Sequence, residues 1–467
     1  MTATAAILSS VSDRGGGQVA HPPNVREAQP PARTTAWAEG VDRLRTGATT
    51  EPGRLRIIGA LVAALVIAFG AATAWEISDR AAAADAVVTR SQPLSADAAS
   101  IYRSLADADS AAASGFLAGA QEPQDVRERY EKDIATASGL LVKAAANTDS
   151  SSPSGREIVT LNEQLPRYTG LIERARANNR LGLPLGGAYL RYANERMTKT
   201  LLPAAERLYE AETKRLGADY DEARAWPFIG LGVGLVALGG LFWSQRRNYR
   251  RTNRVFNHGL LAASIASAVV LLWLGVGHAV ASAGLKDAKT HGQESLEVLN
   301  DARINSLKAR ANENLTLVAR GAVLAADGKQ DLYESEYTQG MKVLGRALGD
   351  ARKLADDPEG SAPVADAAVK AKEWRKRHGT ARGTDDKGDY EGALKQIIGD
   401  KGSTGECFSG VDAALEKALA HEQKEFTQAA EDGRGFLTGL PLGAAVLAVL
   451  GAAGAVLGIG RRLSEYR

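Results

Sequence analysis

The chain has 467 residues, a formal charge of +2 and 45% apolar residues. Its charges are nearly balanced and its arginines cluster at the edges of apolar runs, which excludes nucleic acid as a partner. A lone cysteine, Cys407, excludes an intramolecular disulfide, and six histidines without HExxH or other ligand spacing, together with the absence of a P-loop, nucleophile elbow or kinase signature, argue against a metal, a cofactor or catalysis.

Residues 1–55 mix Ala, Pro, Gly and Thr with no apolar period and read as a disordered cytoplasmic tail. Residues 56–75 contain the first span, Ile57 to Trp75, which at about 1.5 Å per residue reaches about 28 Å, close to a hydrocarbon core. Ala72-Thr73-Ala74 looks like a cleavage site, but the polar stretch ahead of the run and the run itself are both too long for a signal peptide.

Residues 76–225 are alanine-rich and helical, with expected breaks at Gln92-Pro93, Glu122-Pro123, Asp149 to Gly155 and Gly182-Leu183-Pro184. The last segment, Ala188 to Ala225, carries Leu190, Met197, Leu201, Ala204, Leu208 and Ala211 on one stripe. Pro203 within it is expected to kink the helix or to start a new one. No breaker precedes Trp226-Pro227, so this helix is expected to run nearly unbroken into the second span.

Residues 226–243 and 259–280 are the second and third spans. Between them, residues 244–258 (SQRRNYRRTNRVFNH) hold Arg246, Arg247, Arg250, Arg251 and Arg254 and no acid. Short loops rich in arginine stay in the cytoplasm. Alternation then puts both large polar segments outside and both chain ends inside. Topology alone accounts for the arginines, while Tyr249 and Phe256 beside them leave open a second role, contact with anionic lipid or an acidic cytoplasmic partner.

Residues 281–435 repeat the plan. Ile304, Leu307, Ala311, Leu315, Val318, Ala322 and Ala325 recur at helical spacing, so one helix is expected to leave the membrane and continue to Asp327-Gly328. A return helix begins near Asp331, Asp357-Pro358-Glu359-Gly360 breaks the next connection, and Lys376 to Asp389 reads as a polar loop. The closing helix carries Phe408, Val411, Leu415, Leu419, Phe426 and Ala429 on one face. Residues 436–460 are the fourth span and 461–467 a cytoplasmic tail. The expected fold is all-α, with four transmembrane helices and two extracytoplasmic helical-bundle domains, span–bundle–span twice over without clear identity between the halves.

The spans have no ionisable group at their centres, which argues against a transporter. Gly230 and Gly234, Gly439 and Gly443, and Gly454 and Gly458 stand four apart, as close helix packing requires. Two places in the polar domains are candidates for a ligand or partner. One is Asn178, Asn179 and Arg180 with Tyr189, around the bend from Gly182 to Gly187, where helix capping explains the same residues. The other is Trp374, as an interface anchor or as a core residue.

The stretches ANNRLGLPLGGAYLR (177–191), RRTNRVFN (250–257), ARANENLTLVARGA (309–322), HEQKEFTQAA (421–430) and the terminal RRLSEYR, with the four-span plan, resemble the actinobacterial GlnX family. That family accompanies a secreted amino-acid-binding lipoprotein, GlnH, and a cytoplasmic Ser/Thr kinase, PknG. The resemblance implies a non-catalytic relay: the lipoprotein senses aspartate or glutamate outside, the membrane protein carries the state across, and the kinase adjusts metabolism inside. A membrane scaffold that binds envelope components without switching is the alternative, and paired bundles leave a homodimer open.

Overall fold

The computed structural model describes residues 51–119, 121–252, 257–326, 328–399, 401–437 and 439–463. Residues 58–467 form one compact unit. Of the other unit, residues 1–57, only the part from Glu51 is described, so the expected tail lies outside the described residues. Among them there is no strand, only an isolated bridge between Leu324 and Asp331.

Among the described residues, four helices are long and apolar enough to cross a membrane. They lie in α1 (Glu51–Ala86), α7 (Phe228–Thr252), α8 (His258–Asp287) and α14 (Leu440–Leu463). Each gives one residue to a small core, Phe69, Ala237, Val270 and Ala444. Large apolar side chains such as Leu61, Leu235, Phe242, Leu272 and Leu450 point outward, as they do where lipid is the solvent. Glycine sets the spacing. A Cβ on Gly259 of α8 would stand 2.2 Å from the Gly454 carbonyl oxygen, and one on Gly458 would stand 2.8 Å from the Gly259 Cα, so α8 and α14 touch backbone to backbone. Gly234 makes room for Phe69, and Gly443 for the Trp273 indole. Gly439 serves the backbone instead. Its φ of +83 forms the bend before α14, which is why the last apolar helix starts at Leu440.

The first half continues through a π-helical turn (Val87–Ser91) into α2 (Gln92–Leu117), then α3 (Gln124–Asn147), α4 (Pro153–Arg180), α5 (Leu185–Arg196), a second π turn (Met197–Leu201) and α6 (Leu202–Arg224). The second half repeats the opening: α8, a π turn (Ala288–Gln293), then α9 (Glu294–Ala319). It continues with α10 (Leu332–Leu354), α11 (Pro358–Asp385), α12 (Tyr390–Ile398) and α13 (Thr404–Leu437). Side chains start these helices where the sequence signals them. Ser152, Asp331, Asp357 and Asp389 each accept a hydrogen bond from the backbone three residues on, at 3.0, 3.0, 2.6 and 2.9 Å.

The bundles of the two halves share one apolar core that runs from Ile101 and Leu105 of α2 through Leu161 and Tyr168 of α4 to Leu307, Leu344, Trp374 and Leu415 of the second half. Helices α2 and α9, 26 residues each, pack side by side at its centre. Both arrive directly from a span, and both are buried on nearly every face.

Several expectations about element boundaries change. Gln92-Pro93 is not a break. The π turn before it gives the Gln92 N–H the Val87 carbonyl as partner, and the extra residue relieves the clash a proline ring makes inside an α-helix, so the helix continues. Pro203 is handled alike, with the Leu202 N–H on the Met197 carbonyl. The rod expected through Trp226-Pro227 is interrupted, because α6 ends at Arg224 and Ala225 is extended. Helix α9 stops at Ala319, where Arg320 takes a left-handed conformation, and does not reach the loop around Gly328. Residues 376–385, expected as loop, are the last turns of α11, held by buried His378 and Ala381.

Candidate functional site

The bend at residues 178–189 is a cap. Asn179 donates from Nδ2 to the carbonyl oxygens of Phe116 (2.9 Å) and Gly119 (3.4 Å), closing the open end of α2, and Asn178 donates to the Arg174 carbonyl in its own helix. Arg180 is exposed and Tyr189 half-buried against the shared core. Trp374 is fully buried, edge-on to Phe408 and Tyr337, and so lies in the core. Of the arginines in the basic turn, Arg246, Arg247 and Arg250 continue α7, and the Arg247 guanidinium lies 5.5 Å from the Trp243 ring centre. Arg251 is in the last turn of the same helix, and Arg254 lies outside the described residues.

The broken junction between α6 and α7 is clamped by α1. Buried Glu76 accepts from the backbone of Gly230 (2.6 Å) and Ile229 (3.3 Å) at the start of α7, where its charge meets the positive end of the helix dipole. Arg80, one turn on, donates to the carbonyls of Ala225 (2.6 Å) and Trp226 (3.0 Å). His278 of α8 completes the collar, edge-on to Trp226 at 5.1 Å.

Around Trp374 lies a buried charged cluster. Glu313 of α9 accepts from the indole Nε1 (3.0 Å), from Arg310 (2.6 Å) and from His378 Nδ1 (3.0 Å), whose Nε2 lies 3.1 Å from Glu334. Burial opposes charge on Glu313, but the bonds from His378 and Arg310 hold its carboxyl below the ordinary value. Burial would likewise lower His378, yet its bonds to Glu313 and Glu334 raise the ring to about 9. The histidine is therefore an imidazolium locked between two carboxylates.

Polar bonds also join the halves. Arg129 of α3 bridges Asp107 (2.8 Å) and Asp412 of α13 (2.9 Å), and Arg303 of α9 reaches Asp412 at 2.8 Å. Along α2 and α9, Arg103 donates to Asn300, Asn314 to Ser114 (2.7 Å), and Lys308 to the Tyr102 hydroxyl (2.8 Å).

Between the halves, beside the second π turn, a cleft of about 260 Å³ opens. Its floor is made by buried Asp109, Asn194 and Asn312, and Lys308, Glu336 and Gln339 stand at its sides. Asp109 accepts from Asn194 (2.7 Å) and Tyr168 (3.2 Å), but burial outweighs both bonds and pushes its carboxyl up to about 6. No motif announces this cleft. Its residues come from five helices and a π turn, so the spacing along any one helix does not mark it.

Among the described residues, one group has metal-ligand chemistry. Asp357, His421 and Glu425 each place a ligand atom within 4.8 Å of the others. An ion-pair cluster accounts for them equally well, with His421 Nε2 at 3.2 Å from Asp357 and 3.5 Å from Glu425.

Residues 83–221 match the family described as an actinobacterial sensor domain. The match covers the first bundle, with both proline-linked π turns and the Asp109–Asn194 wall of the cleft. No curated protein and no solved structure matches the chain. With four membrane-length apolar helices, the match supports a multi-pass membrane sensor of actinobacterial type.

Proposed function

We propose that the chain is a non-catalytic signal transducer: the helical domain faces the outside, both chain ends and the basic turn face the cytoplasm, and binding outside changes what the cytoplasmic ends present. The observation that carries this reading is the continuity of α1 with α2 and of α8 with α9. The two central helices of the polar domain are extensions of two spans, so a shift between the halves must be felt in the membrane. Movements of switching helices are about 1 to 2 Å. A ligand biases such states only through its differential affinity, with coupling of about 1 to 3 kcal/mol.

The resemblance to GlnX gives the reading its partners. Amino-acid availability would arrive on a solute-binding lipoprotein and leave through a cytoplasmic Ser/Thr kinase, with Arg246, Arg247, Arg250, Arg251 and Arg254 or the C-terminal tail as the contact, and a homodimer as the signalling unit. The test is deletion of the protein followed by measurement of kinase-dependent phosphorylation after an acidic amino acid is added. Loss of the response is expected, and an unaltered response overturns the relay. A scaffold is distinguished by crosslinking α2 to α9 with and without the binding protein, since a scaffold gives one unchanging pattern.

A further inference from the structure

The polar cleft between the halves holds a buried acceptor that none of the donors around it pairs. Asn194 gives its Nδ2 hydrogen to Asp109, Asn305 donates to the Asp301 carbonyl (2.8 Å), and the Thr198 hydroxyl donates to the Asn194 carbonyl (2.9 Å). The Asn312 amide bonds to Glu336, and Lys308 donates to Tyr102. On the acceptor side, Asn312 is 7% exposed, and its buried Oδ1 has no partner. A buried carbonyl left unpaired costs about 1 to 3 kcal/mol, and a ligand N–H that reaches it recovers that cost.

Charge points the same way. Asp109 on the floor and Glu336 at the side carry carboxyls, and Glu206 and Asp301 face the cation in the wall, Lys308, so that four acids stand against Lys308 and Lys199, the two ammonium groups that act on Glu336. The field in the cleft is that of a surplus of acids. An anion is repelled there, and a protonated amine is attracted, as opposite charges are in a partly desolvated site.

We propose that this cleft binds a small organic ammonium, held by the orphaned Asn312 oxygen and by Glu336, with Asp109 beneath. The volume of about 260 Å³ is that of a metabolite smaller than a drug-sized ligand. Thr198 in the wall belongs to the π turn Met197–Leu201, a distortion that recurs at functional sites, so occupancy acts on the joint where α5 meets α6. Binding itself rests on this geometry alone, and only its consequence for signalling rests on the transducer reading. An acid-rich cleft also fits a relay in which acidic amino acids are met by another protein, because aspartate and glutamate themselves are excluded from it.

The test is calorimetric titration of the full chain in nanodiscs with 1,4-diaminobutane, with glycine and with glutamate, alongside the Asn312→Leu and Glu336→Gln variants. Glu336 is exposed and its variant keeps the fold, which a thermal scan checks. Saturable binding of the diamine or of glycine is expected, weakened about tenfold in each variant, as the loss of a charge-assisted hydrogen bond requires. The diamine alone identifies a simple amine as the ligand class, and glycine as well extends it to zwitterions. Absence of saturable binding by both, binding of glutamate alone, or binding unchanged in both variants overturns the proposal.

Discussion

Glu313, His378 and Trp374 show how much a residue's role depends on what surrounds it. Removing the Glu313 charge leaves Arg310 and an imidazolium buried without their partner, so Glu313→Ala is expected to cost about 3 to 5 kcal/mol. Denaturant unfolding in detergent measures it, and a cost under about 1 kcal/mol contradicts the buried network. His378 predicts a pH window. Its ring titrates at about 9 in the folded protein and at about 6.5 unfolded, so its stabilisation is complete below about pH 6.5 and is lost as pH rises through 9. The thermal midpoint should fall across that window, and His378→Gln should flatten the fall. Asp109 predicts a second, lower window. Its folded carboxyl holds a proton up to about pH 6 and the unfolded one only to about 4, so stability increases as pH drops between them, and Asp109→Asn should abolish that increase. Little of this was legible in the sequence. Trp374 reads as a core residue before an anchor, but that its indole donates to Glu313 is hidden, and Glu313 itself looks like one more charge on a solvated helix face. Asn178 and Asn179 were legible as residues of a bend, but the capping bonds of Asn179 reach back to Phe116, which sequence distance hides.

At the scale of elements, the helices and their caps were readable because each is local: Asp331, Asp357 and Asp389 are followed by the first turn they close. Continuity was not. Pro93 signals a break and Pro203 a kink or a new start, yet a π turn lets each helix pass, while Trp226-Pro227 reads as a mild kink and is a true interruption. The three π turns predict a phase-sensitive link. Deleting one residue between Ala288 and Gln293 turns α9 by about 100° against α8. Because the core buries α9 on nearly every face and holds it in place, the turn should pass to α8, so a thermal scan should show a folded protein whose response to the external signal has vanished. A deletion variant that signals normally contradicts coupling through this helix. Gly259→Leu tests the spans in the same way, because its side chain must push α14 off the Gly454 carbonyl. A lower thermal midpoint and a loss of about 1 to 3 kcal/mol are expected. The glycine spacing indicates close packing, but not that Gly439 serves a bend while its neighbour four residues on serves packing.

For the whole molecule, the four spans and the all-helical class were legible because bilayer thickness and helical period are written directly in apolar run length and spacing. The shared core was not, since the stripe on α9 predicts one apolar face and gives no sign that polar residues on its other faces are buried between the halves. That burial gives the proposed transducer its physical basis, because the same two helices form both the interface between halves and the continuations of two membrane-length apolar helices. The account depends on which side of the membrane this interface faces. The direct measurement is labelling of single cysteines in intact cells with a membrane-impermeant maleimide, on a Cys407→Ala background, at Ser151→Cys, Lys387→Cys and Arg250→Cys. Both positions in the helical domain should label and Arg250→Cys should label only after lysis; the reverse pattern contradicts a sensor that reads the outside and reports within.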